Sequence, residues 1–187
     1  MEETLKQQDS SCIKVVLFGP ESTGKTVLAK KLAAYYKTLW VPEFSRIYAE
    51  EKIKDNELLT KNDVLPIAIG QMVLENALAK QVDKLLICDT NLLETKVYSQ
   101  EYYNGYSPEV LDKYALENSY NLYFLTNIDV PWEEDGIRDK PNKREDMFKA
   151  FQKALTINKI PYVLLNGSLP NRLEIAIKHI DKLLKNN

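Results

Sequence analysis

Gly19-Pro20-Glu21-Ser22-Thr23-Gly24-Lys25-Thr26 is the stretch on which the reading of the whole chain turns. Before it, Cys12-Ile13-Lys14-Val15-Val16-Leu17-Phe18 is an apolar, β-branched run, the mark of a strand buried on both faces of a parallel sheet. After it, Val27, Leu28, Leu32, Ala33 and Tyr36 recur at helical spacing, with lysines on the other side. A glycine-containing turn between strand and helix that ends Gly-Lys-Thr is a complete Walker A pattern in its proper setting. Glycines let the backbone wrap closely around phosphates with its N–H groups turned inward. The next helix starts with unpaired N–H groups and a positive dipole end, both suited to an anion. Gly19, Glu21, Ser22, Thr23, Gly24, Lys25 and Thr26 are therefore the expected nucleotide-binding residues. Lys25 is expected to reach the β- and γ-phosphates, and the Thr26 hydroxyl to ligate Mg²⁺. A ligand-free turn would give that lysine and threonine no packing reason to follow the glycine.

Outward from the turn, strands and helices alternate. Leu39–Pro42, Leu85–Cys88, Leu122–Thr126 and Tyr162–Leu165 read as further strands. Helical patterns fall at about 43–54, 64–84, 92–103, 108–118, 147–158 and 169–184. This predicts an α/β fold of the P-loop NTPase class, a parallel five-stranded sheet with helices on both faces and a small lid. Residues 1–11 read as a disordered N-terminal tail and 12–187 as a single P-loop kinase domain. The charged, Pro- and Gly-containing segment 131–146 is the expected lid.

The bulk composition narrows the classes. Among 187 residues, 44% are hydrophobic and 28% charged, enough for a buried core and unlike a disordered acidic tail. A net charge of −2 gives no general attraction to nucleic acid. No apolar run approaches the roughly 20 residues that span a bilayer, and residues 1–11 lack the apolar core of a signal peptide. A cytoplasmic location without membrane or nucleic-acid partners is expected, and the oligomeric state stays open. Cys12 and Cys88 read as small buried residues. With no CxxC pair and His179 as the single histidine, expected at the surface, no zinc site is visible.

Several residues converge on the same sheet edge as the turn. Asp89 ends an apolar strand, and ligands of open α/β sheets bind at the carboxyl ends of strands. It reads as a Walker B-type carboxylate for Mg²⁺ and as a catalytic candidate, or simply as a helix cap. Glu43 follows the second strand and Arg46 comes three residues later. The pair reads either as substrate-binding, with Glu43 accepting or orienting a hydroxyl proton, or as a surface i,i+3 ion pair. Within the lid segment, Arg138 reads as catalytic and Arg144 as nucleotide-binding, since arginine's fixed fork of donors suits phosphate. Trp40 and Trp132 could stack on a flat acceptor, or merely pack. Tyr98, Tyr102, Tyr103 and Tyr106 read as packing rather than recognition.

The order GPESTGKT, Val-Pro-Glu43-Phe-Ser-Arg46, Ile-Ala-Ile-Gly70-Gln71, Cys-Asp89-Thr90 and Val-Pro-Trp132-Glu-Glu-Asp135-Gly136-Ile-Arg138 resembles the kinase domain of the NadR family. The resemblance runs from about residue 13 to 184. It implies ATP and Mg²⁺ as cofactors and phosphorylation of nicotinamide riboside to nicotinamide mononucleotide. It implies substrate-side roles for Glu43 and Arg46, a magnesium or catalytic role for Asp89, and phosphate-facing roles for Arg138 and Arg144. The sequence departs from the pattern where family members carry a tryptophan just before the glutamate and a tyrosine in the next long helix; here Pro42 and about Ala77 stand there. With His179 alone, no HxGH adenylyltransferase site is available in this chain, so neither adenylyl transfer nor operator binding is expected. A kinase for another nucleoside, or a nucleotide-binding switch with no small acceptor, are the competing readings.

Overall fold

Every residue of β1 (Ile13–Phe18) is buried, and the strand lies at the centre of the sheet. In this computed structural model, which describes residues 2–131 and 144–186, five parallel strands run in the order β2-β3-β1-β4-β5. The others are β2 (Trp40–Val41), β3 (Leu85–Asp89), β4 (Leu122–Thr126) and β5 (Tyr162–Leu165). Strands β3 and β4 flank β1 directly, with Val16 opposite both Cys88 and Tyr123. This places the carboxyl ends of β1, β3 and β4 side by side on one edge.

Alternation along the strands divides the core in two. Val15 and Leu17 join Ile87, Phe124 and Leu165 under α1 (Lys25–Tyr36) and α7 (Leu169–Asn186). Val16 and Phe18 join Cys88, Tyr123 and Leu125 on the opposite face. That face is covered by α3 (Val64–Ala79), α4 (Leu92–Tyr102), α5 (Glu109–Glu117) and α6 (Arg144–Ile157). Helix α2 (Phe44–Lys54) packs on α3. Cys12 and Cys88 are buried free thiols, and burial pushes the Cys88 thiol well up.

Two expectations are corrected here. Residues before β1 are not a loose tail: Glu2–Leu5 form a 3-10 helical turn whose Leu5 is 0% exposed in the α3–α5 core. Polar side chains then hold Gln7 and Gln8 in place. Asn118 accepts from the Gln7 N–H at 3.0 Å, Asn76 accepts from the Gln8 N–H at 2.9 Å, and Gln7 Nε2 donates to Glu75 at 2.7 Å. Glu75 also takes Lys14 Nζ at 3.2 Å and the Tyr120 hydroxyl at 2.7 Å, so this buried carboxylate is paired rather than stranded. The second correction concerns boundaries. α3 ends at Ala79, and α6 already begins at Arg144, so residues 144–146 of the expected lid are helical. The rest of that segment, with Trp132, Asp135, Gly136, Arg138, Lys140 and Lys143, lies outside the described residues. Among the described residues, no helix is long and apolar enough to cross a membrane.

Candidate active site

Where β1 ends, the backbone turns through Gly19 at φ +143°; a Cβ there would sit 2.5 Å from Thr126 Oγ1 and 3.0 Å from the Thr126 carbonyl oxygen. The turn thus lies flush on the end of β4, as only glycine permits. Gly24 (φ 80°) delivers the chain into α1. The Thr23 hydroxyl bonds to the Pro20 carbonyl (2.8 Å) and to the Thr126 hydroxyl (2.7 Å). Underneath, the buried Arg172 guanidinium donates to the Thr23 carbonyl (2.6 Å), the Asn127 carbonyl (3.0 Å) and the Gly167 carbonyl (2.9 Å), and pairs with Asp129. One α7 side chain therefore ties the phosphate turn to the loops after β4 and β5.

Lys25 Nζ donates to the carbonyls of Gly19 (2.6 Å) and Pro20 (3.0 Å) and lies 3.2 Å from Glu94 Oε1. The Thr26 hydroxyl donates to Asp89 Oδ2 at 2.5 Å. This hydroxyl–carboxylate pair fits Mg²⁺, which takes hard oxygen donors, one or two of them from the protein, with phosphate oxygens and water completing the shell. Among the described residues no three His, Cys, Asp or Glu side chains converge as a metal cage. Beyond Asp89, Thr90 adopts φ 106°, costly for a β-branched residue, and Asn91 caps α4 by accepting the Glu94 N–H at 3.1 Å. Asn91 Nδ2 in turn donates to the Tyr123 hydroxyl at 2.8 Å, which pins the start of α4 to the sheet.

Beside the turn opens a cavity of about 530 Å³, within the range of small-molecule sites. Glu21, Glu43, Arg46, Glu57 and Glu94 supply its charges; Ile53, Leu58, Leu59, Tyr98, Tyr102 and Tyr103 supply apolar and aromatic wall. Glu43 is buried at the head of α2 and accepts from the Ser45 hydroxyl at 2.6 Å. Its backbone is bracketed by Gln71 of α3, whose Oε1 accepts the Phe44 N–H (2.8 Å) and whose Nε2 donates to the Pro42 carbonyl (3.2 Å). The neighbouring Gly70 leaves room for the Phe44 ring, since a Cβ there would fall 2.0 Å from Phe44 Cε1. Gly70→Ala should accordingly destabilise the fold by about 1–3 kcal/mol through overpacking. It should lower turnover more than nucleotide affinity, as thermal melts and calorimetry on one preparation would show.

The structure thus gathers Glu43, Arg46, Asp89, Lys25 and Thr26 at one edge, but not Trp40. Trp40 packs with the α1–α7 side of the core under Lys30, and it is not among the cavity's lining residues, so the expectation of an acceptor contact there is corrected. The physical reason is alternation: Val41 faces the other core, so its neighbour must point away from it. Arg144 donates to the Ser22 carbonyl at 3.4 Å and the Val130 carbonyl at 3.0 Å, at the edge of the phosphate turn. Tyr98, Tyr102 and Tyr103 line the cavity, although sequence reading assigned them to packing; Tyr106 instead lies under Lys61. His179, expected at the surface, is half-buried with its ring edge-on to Phe124.

Burial pushes the Glu94 carboxyl up to about 8, against the pull of the Lys25 ammonium and with Glu43 and Asp89 adding to the rise. The folded protein then holds a proton that the unfolded chain, with an ordinary glutamate, has lost. Stability therefore falls as pH rises from the usual carboxylate range towards 8. The melting temperature of Glu94→Gln relative to the parent should climb between pH 5 and about pH 8 and level off above it.

Comparison with known proteins places this architecture. The AAA domain family profile matches residues 14–172. The chain belongs to the AAA domain family. Within this family setting it is homologous to the trifunctional NAD biosynthesis/regulator protein NadR of Salmonella typhimurium, at 29% identity over 145 residues. That match covers 75% of this chain and 34% of the relative, so the chain spans about a third of the length of the curated relative. Among solved structures, NadR in complex with NR superposes with a TM-score of 0.77 at 20% identity, over 93% of this chain and 52% of that one. A deoxyadenosine kinase from M. mycoides with the products dCMP and dCDP gives 0.63 at 16% identity, over 91% of this chain and 100% of that one. These likenesses show the fold, that of P-loop kinases.

Proposed function

We propose that this protein transfers the γ-phosphoryl group of Mg²⁺-bound ATP to a nucleoside-like small molecule, with nicotinamide riboside as the foremost acceptor. The observation that carries this reading is a cavity with a carboxylate, an arginine and aromatic walls opening directly beside the P-loop. A nucleotide switch would need no such compartment. The homology to NadR, and the NR bound in that structural relative, support the choice of acceptor.

Phosphoryl transfer depends chiefly on positioning and on neutralising charge. Lys25 would turn its ammonium from the Gly19 and Pro20 carbonyls to the β- and γ-phosphate oxygens. Thr26 and Asp89 would hold Mg²⁺, which supplies counter-charge for the phosphates. Glu43, fixed by Gln71 and Ser45, would orient the acceptor hydroxyl and take its proton. Arg46 would bind the acceptor, and Arg144, already against Ser22, would steady the nucleotide side. Arg138 is assigned to the transferring group on its sequence position alone.

The test is ADP release, measured with ATP and Mg²⁺ in the presence of nicotinamide riboside, of a panel of ribo- and deoxyribonucleosides, or of no acceptor. Strong dependence on nicotinamide riboside is expected. Preference for a deoxynucleoside would reassign the acceptor, and slow ADP release indifferent to every acceptor would overturn the kinase reading.

A further inference from the structure

Glu94 stands at the seam between the phosphate turn and the cavity, and the proposed transfer gives it no part. Its side chain is 1% exposed, Oε1 lies 3.2 Å from Lys25 Nζ, and Oε2 accepts the Gly19 N–H at 3.3 Å. The Asn91 cap and its bond to Tyr123 fix the first turn of α4, so the carboxyl is held in place rather than swinging. The Lys25 ammonium donates hydrogen bonds to the Gly19 and Pro20 carbonyls, and Glu94 Oε1 stands 3.2 Å from it as an ion pair without hydrogen-bond geometry. A phosphate oxygen that enters the turn competes with these three groups for the ammonium. The two carbonyls are neutral and belong to the turn itself. Glu94 makes the longest of the three contacts, and its charged form would lie beside the incoming polyphosphate, where like charges oppose one another.

We propose that Glu94 is a positioning residue that holds Lys25 while the phosphate turn is empty and opposes the triphosphate electrostatically once Lys25 is surrendered to it. Nucleotide binding is thereby weakened in return for a preset lysine and easier loss of ADP. The inference rests on the phosphate-binding half of the proposed function and is indifferent to the identity of the acceptor. The charged and titratable groups around Glu94 are Lys25 from α1, Glu43 from the head of α2 and Asp89 from the end of β3, with Glu21, Arg46, Glu57, Tyr98, Tyr102 and Tyr103 sharing the cavity.

Calorimetry with Mg²⁺ and either ADP or AMP-PNP, at pH 9 where the Glu94 carboxyl is charged, compares the parent with Glu94→Gln and Glu94→Asp. Glutamine keeps the length and an acceptor for the Gly19 N–H while removing the charge; aspartate keeps the charge. Glu94→Gln should bind both nucleotides about fivefold more tightly at this pH, as expected if bound phosphate raises the carboxyl's pKa by one further unit, and Glu94→Asp should not. The KM for ATP should fall with kcat unimproved. Unchanged or weaker binding by Glu94→Gln, or equal tightening by Glu94→Asp, would overturn the proposal. Absence of nucleotide binding by the parent would instead remove the P-loop reading beneath it.

Discussion

Lys25→Ala should lower phosphoryl transfer at saturating ATP by at least ~100-fold while the protein still melts cooperatively. Removing one preorganised donor to developing charge costs roughly 10²–10³ in rate in comparable settings. Lys25 is such a donor, poised on the Gly19 and Pro20 carbonyls at the start of α1. Loss of a buried ammonium ordinarily strands its partner, but burial already favours the neutral form of Glu94, and without Lys25 the carboxyl simply keeps its proton. Turnover and melting temperature, measured on the same preparation, separate the two effects. Activity within tenfold of the parent would deny Lys25 its place on the phosphates.

The largest expected effect on stability comes from Arg172→Met. The substitution keeps much of the side-chain length but leaves the carbonyls of Thr23, Asn127 and Gly167 without their shared donor and Asp129 without its counter-ion. Breaking a buried, hydrogen-bonded charge pair in this way costs about 3–5 kcal/mol. For a chain of this size that corresponds to a fall in melting temperature of roughly 10–15 °C. Burial pushes the Asp129 carboxyl up, yet the Gly167 N–H and the Arg172 guanidinium together hold it below the ordinary range. That lowered value adds stability above the usual carboxylate pKa, which is lost as pH falls through the folded value. The acid side of the parent's stability profile should therefore be steeper than that of Arg172→Met. Nucleotide affinity should fall too, because the Thr23 carbonyl would lose its anchor beneath the phosphate turn.

The fold was largely legible because the apolar runs ending in Phe18, Asp89 and Thr126 are short, β-branched or aromatic, and separated by helical patterns. A parallel sheet then puts their carboxyl ends on one edge, which made Asp89 and Glu43 visible as candidates. Glu94 stayed hidden because Asn91-x-x-Glu94 has the spacing of an ordinary helix start, and the Glu94 N–H does bond to Asn91. Its carboxylate, however, turns to Lys25, a partner 69 positions away in the chain. Arg172 was missed for a similar reason: on an amphipathic terminal helix a single arginine looks like surface charge, and only the packing of α7 under the phosphate turn buries it. Tyr98 and Tyr102 do pack on each other, as read, yet also present to the cavity, and single residues facing two environments leave no periodic signal. Trp40 was the opposite error, a residue beside the right strand end on the wrong face of the sheet. The N-terminal residues misled because Gln7 bonds to the side chains of Glu75 and Asn118 and the Gln8 backbone N–H to Asn76, while Leu5 alone carries the burial, so a polar segment was anchored without an apolar run.

The central place of β1 has a consequence for biosynthesis. Its flanking partners arrive about 70 and 110 residues later, at Leu85–Asp89 and Leu122–Thr126. A nascent chain on the ribosome therefore carries its phosphate turn, complete in covalent structure, long before either neighbour has left the exit tunnel. Gly19 can seat on Thr126 only after that residue emerges, so the capacity to grip nucleotide should appear late and abruptly during translation. Until then the apolar first strand is an obvious client for chaperones.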